Sequence, residues 1–172
     1  MIRFDKIVEA FARKYKPMLH NPDNGNRRFF RMNSVSSIDE MMQNVGNLKS
    51  PIVSVEVYLE GSIGNKDNTA EWTVFFFCNG GDASDIDLTT DSKVEAHKHL
   101  LRFIATMRRW KRDKKIGDIN LGDGQMRLRY YTVGPVLNNW YGVGTTFLVP
   151  EGLNRCEGDD YMDETIPDLE SE

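Results

Sequence analysis

The chain is short of cysteine, histidine and long apolar runs, and each shortage removes a class of protein. Two cysteines, Cys78 and Cys156, among 172 residues cannot build a disulfide scaffold, so two unpaired thiols in a reducing compartment are expected. Of the three histidines only His97 and His99 are neighbours. A two-residue separation puts them on different sides of a helix, whereas a shared metal needs i, i+3 or i+4 spacing. His20 has no partner in sequence. No stretch approaches the ~18 apolar residues of a spanning helix, and Met1 to Lys6 lacks a signal-peptide apolar segment. A cytoplasmic origin without membrane contact is therefore expected. There is no phosphate-binding glycine loop, nucleophile elbow or metalloprotease signature. Asp118 to Gly124 falls short of a calcium loop because its glycine is displaced and no terminal Glu follows. That segment and the acidic run Asp82, Asp85, Asp87 and Asp91 read as solvated loops. No catalytic, metal or cofactor site is expected.

What the chain does have is charge, unevenly placed. Nine Lys/Arg lie between Lys93 and Lys115, against only Glu95 and Asp113. Glu157 to Glu172 carries eight carboxylates and no cation. Without that tail, 22 cations face 18 carboxylates and the net charge of −4 becomes +4. Such polarity suits self-assembly or docking better than chemistry.

Length and composition fit one domain over residues 1–156, with residues 157–172 as an acidic flexible tail or assembly arm. Phe4, Val8, Phe11 and Tyr15 share one helical face, with Asp5 as a candidate cap and Pro17 closing the run. Asn21 to Asn33 reads as a loop or insertion around Phe29-Phe30. Ser37 and Glu40 form a capping box for a short helix ending near Gly46. Val53, Val55, Val57 and Leu59 alternate with polar residues as a strand, and Glu71 to Cys78 is a second. The connection Glu60 to Ala70 reads as a long contact loop, in which Gly61, Gly64, Asn65 and Lys66 are candidate interface residues.

Ser92 and Glu95 form a capping box that opens a long basic helix, which Gly117 ends. Leu100, Phe103, Met107 and Trp110 line its apolar face, widened by Leu101 and Ile104. Lys98, Arg102, Arg109 and Arg112 are its candidate contact residues. Met126 to Val133 and Trp140 to Val149 read as two further strands, Gly142 and Gly144 marking a bulge or a close backbone approach. The fold class expected is α+β: a single domain with a mostly antiparallel sheet of at least four strands packed against one long helix, plus an N-terminal helix and an extended C-terminal tail. In that tail Tyr161, Met162, Ile166 and Leu169 are candidate anchors to a neighbour.

The element order over residues 50–156, with Asn139-Trp140-Tyr141-Gly142-Val143-Gly144-Thr145-Thr146-Phe147-Leu148-Val149-Pro150 and Asn154-Arg155-Cys156, resembles the tail-terminator (tail-completion) family of tailed phages. The resemblance implies a non-enzymatic virion protein, assembled in the host cytoplasm. It would form a homo-oligomeric ring, commonly of six subunits, that caps the tail tube and joins it to the head connector. Its partners would be copies of itself and adjacent neck and tail proteins, with genome DNA passing the lumen without sequence-specific binding. Asn21 to Asn33 and the acidic tail depart from the family pattern, which leaves a stopper or collar ring as an alternative. From the residues alone, a nucleic-acid-binding module using Lys98, Arg102, Arg109 and Arg112 is a second reading, and a small enzyme a third.

Overall fold

In a computed structural model, residues 3–32, 48–56, 60–62, 68–81, 84–117, 119–122, 127–136 and 139–151 are described. The elements are Phe4–Lys14 (α1), a 3-10 turn at Pro22–Asn24, Phe29–Met32 (β1), Ile52–Glu56 (β2), Glu60–Ser62 (β3), Asn68–Asn79 (β4), Ile86–Arg112 (α2), Tyr130–Val136 (β5) and Trp140–Glu151 (β6). The expected short helix after Ser37, the residues Gly64, Asn65 and Lys66, and the tail anchors Tyr161, Met162, Ile166 and Leu169 lie outside the described residues.

The sheet is built around β4 and β6, which pair antiparallel over twelve residues, from Asn68 opposite Glu151 to Asn79 opposite Trp140. The strand order is β1-β2-β4-β6-β5, and β3 continues beside β2 on the same edge of β4. Only β1 and β2 run parallel among the described pairs, so the sheet is mixed but mostly antiparallel. The α+β class with one long helix on the sheet and an N-terminal helix is thus the observed one.

Period-two alternation decides which side chain faces where. Trp72, Val74, Phe76 and Cys78 of β4, with Val53 and Val55 of β2, join the core under the helices. Phe75, Phe77 and Ile52 point the other way, into a second cluster with Phe30, Met32, Val136 and Trp140. The sheet is therefore buried on both faces, which the polar residues of β2 did not suggest: Ser54 is fully buried, and its hydroxyl has no hydrogen-bond partner among the described residues. Gly142 and Gly144 mark the close approach. A Cβ on Gly144 would sit 2.7 Å from Phe75 Cδ1, and one on Gly142 would meet the Phe76 carbonyl.

Several expectations are corrected. Phe29–Met32 is an edge strand rather than loop or insertion, and Arg31 ties it to α1 by reaching Asp5 at 2.7 Å and Glu9 at 3.0 Å. Asp5 is no cap: it lies buried in the first turn, held also by Arg3 at 2.7 Å, and the Arg3 hydrogen bond leads the causes that bring its carboxyl down to about 2. The long helix opens at Ile86 rather than Ser92. Asp85 caps it, its Oδ1 accepting from the backbone of Asp87 and Leu88, while the Ser92 hydroxyl donates to the Leu88 and Asn79 carbonyls. Its last residue is Arg112, ahead of the expected stop at Gly117. Leu101 does not widen the apolar face but is 52% exposed. Residues 60–62 and 68–70 are strand, so the contact loop shrinks to residues outside the description, and Gly61 lies within β3 opposite Ala70.

The segment after α2 is also core rather than solvated loop. Ile119 and Leu121 are fully buried, and Asn120 donates its backbone N–H to the Leu148 carbonyl. Strand β5 begins at Tyr130, four residues after the expected start at Met126, and bulges between Val133 and Val136.

Candidate interaction surface

Helix α2 positions the predicted cations. At about 100° per residue, Lys98, Arg102, Arg109 and Arg112 fall within roughly 80° around its axis. They form one outward stripe, and all four are exposed. Its inward face, Ala96, Leu100, Phe103 and Met107, is buried against the sheet, so the stripe is held rigidly by the core. Val94, 48% exposed, and Leu101 lie along the same outward side.

Not every cation of the helix is available for contact. Arg108 Nη2 donates to the Leu121 carbonyl at 2.9 Å and Lys111 Nζ to that of Ile119 at 3.0 Å, so these two sew the following segment to the helix. Lys98 pairs with Glu95 at 3.0 Å, and Arg112 approaches Asp113 at 3.8 Å. The basic face therefore has some local partners. Arg102 and Arg109 have no ion-pair partner among the described residues. The acids Asp85, Asp87 and Asp91 stand at the N-terminal end and the cations at the C-terminal end, which complements the helix dipole and polarises the element along its length.

The N-terminal half of α2 borders a cleft of about 760 Å³ with the end of β4 and the Ser50-Pro51 entry to β2. In and behind its wall the structure gathers groups that sequence reading missed, because they come from four separate segments. Tyr15 Oη lies 2.8 Å from His99 Nδ1, and His99 Nε2 lies 3.6 Å from Glu95. Burial lowers the His99 pKa and raises that of Tyr15, which favours a neutral imidazole beside an un-ionised phenol. In the tautomer that turns Nε2–H toward the acceptor-only Glu95 carboxylate, Nδ1 accepts from the phenol. Burial pushes the Cys78 thiol up to about 11, only partly opposed by Ser50. A thiol held protonated is a poor nucleophile, so the cluster is suited to packing and hydrogen bonding rather than attack. His20 likewise has a structural partner: its Nδ1 accepts from the backbone of Arg28 and Phe29.

Among the described residues no group of three or more His, Cys, Asp or Glu is gathered for a metal, and no helix is long and apolar enough to cross a membrane. His97 turns away from His99 and stacks on Tyr130 of β5, an edge strand among those described, centroids 4.4 Å apart. Trp110, expected in the core, is only partly buried but does pack against it, leaving the basic stripe without a tryptophan to stack on bases. Gly61 serves its hairpin: a Cβ there would collide with the Thr69 carbonyl. No protein-family model and no curated protein sequence matches this chain.

Proposed function

We propose that the protein is a non-enzymatic structural subunit that forms a ring at the head–tail junction of a tailed phage, capping the tail tube and joining it to the head connector. The observation that carries the assembly part is the outward stripe of α2, where Lys98, Arg102, Arg109 and Arg112 stand beside exposed Val94 and Leu101 on a helix fixed by the core. A ring needs two unlike, complementary faces on each subunit, and a domain with a basic helix on one side and, among the described residues, the edge strands β1 and β5 elsewhere supplies unlike faces. The phage position comes from the resemblance of residues 50–156 to tail terminators.

The test is native mass spectrometry of the full chain across a concentration series, followed by electron microscopy with tail tubes. Closed rings of fixed copy number that seat on tube ends support the reading. A stable monomer whose DNA affinity falls steeply with salt overturns it in favour of nucleic-acid binding.

A further inference from the structure

A groove of about 300 Å³ runs between α1 and the end of α2. Its floor is apolar: Ile7, Trp110 and Ile116 line it and are partly buried against the core. Its rim is cationic, formed by the exposed Lys6, Lys14 and Lys115. No carboxylate stands among the described lining residues. Lys6 reaches Glu9 loosely, at 3.5 Å, while Lys14 and Lys115 have no ion-pair partner among the described residues. A groove so made selects an extended segment with spaced apolar side chains and carboxylates between them.

The chain itself contains such a segment. Between Asp159 and Glu170, six carboxylates are interleaved with Tyr161, Met162, Ile166 and Leu169, and no cation follows Arg155. The segment also starts from the right end of the molecule. Strand β6 ends at Glu151, Phe147 on it packs 5.3 Å from Phe4 of α1, and the Leu148 carbonyl accepts from Asn120 just beyond α2. The ten residues from Glu151 to Tyr161 extend up to roughly 33–36 Å, ample to return to a groove at that end. A tether of this length gives an effective concentration on the order of millimolar, which favours the chain's own tail over that of another copy.

We infer that the acidic C-terminal segment, residues 159–170, docks in the lysine-rimmed groove between α1 and α2 of its own subunit, with its apolar side chains on Trp110, Ile7 and Ile116. This does not depend on the phage or ring reading: it concerns the subunit alone.

The experiment places a photo-crosslinking amino acid at Ile166 of the full-length chain and maps the products by mass spectrometry, in an equal mixture of isotopically heavy and light protein. Expected are crosslinks to residues 6–14 and 110–116, heavy to heavy and light to light, weakening severalfold in 0.5 M salt. Lys14→Glu with Lys115→Glu should reduce the yield severalfold, and adding Asp163→Lys with Glu164→Lys should restore it. Both lysines are exposed, and circular dichroism checks that the fold is kept. Crosslinks elsewhere, or a yield indifferent to the charge reversals, overturn the docking. Crosslinks mainly between heavy and light copies overturn the assignment to the same subunit and make a second copy's tail the occupant.

Discussion

Tyr15 and His99, 84 residues apart, meet at 2.8 Å and lock the end of α1 to the middle of α2. Burial keeps His99 and His20 below their ordinary pKa. On acidification the unfolded chain protonates these histidines near pH ~6.5 while the folded chain does not. The unfolded state then binds more protons, so stability should fall as pH drops from about 7 toward the depressed folded values. Urea unfolding at pH 7.5 and 5.5 checks this, together with NMR titration of both rings. A stability that is equal or higher at the lower pH would show that the imidazoles are not held neutral.

A second acid step should follow from Asp5. Its carboxyl titrates at about 2 when folded, against 3.8 for the free side chain. The stabilisation from Arg3 and Arg31 is present above pH ~4 and lost as pH falls toward 2, amounting to roughly 2 kcal/mol. Asp5→Asn should abolish that step, lowering stability at pH 6 while flattening the curve between pH 4 and 2.

Gly142 stands opposite Phe77 across β4 and β6, and a Cβ on it would lie 2.5 Å from the Phe77 ring as well as against the Phe76 carbonyl. Gly142→Ala should therefore destabilise by roughly 1–3 kcal/mol, as overpacking of a tight core does. Chemical denaturation measures it. An unchanged midpoint would mean that the strands separate at little cost.

Phe103 and Trp110 lie on the inward side of α2, yet only Phe103 is fully buried. Phe103→Ala should cost about 3–5 kcal/mol. Trp110→Ala should cost less, roughly 1–2 kcal/mol, because part of its surface lines the groove rather than packing in the core. Equal losses in thermal unfolding would place Trp110 deeper than described.

Reversing Arg109 and Arg112 to Glu should weaken assembly while leaving the fold intact, since both are exposed and isolated surface pairs contribute little to stability. Sedimentation velocity of the variant against the parent chain decides. Normal assembly would reduce the stripe to a solvated face.

Local patterning already contained most of the architecture. Phe4, Val8 and Phe11 at helical spacing, the alternation of β2 and β4, and the glycines of β6 each report which side of an element is apolar or crowded, and that information is local. The four cations of α2 were legible as one stripe for the same reason. What only the tertiary structure decided depends on partners distant in sequence. Phe29–Met32 is a strand because β2 offers an edge and α1 offers Asp5 and Glu9 to Arg31, although its own turn-rich neighbourhood argues for a loop. Asp85 rather than Ser92 caps α2 because the helix starts at Ile86, which leaves Ser92 inside it with its hydroxyl turned toward the Asn79 and Leu88 carbonyls. The Tyr15–His99 contact, the burial of Ile119 and Leu121, and the lysine-rimmed groove exist only when separate elements meet. Sequence periodicity determines the face of an element, whereas the identity of what that face meets is set by chain closure over tens of residues.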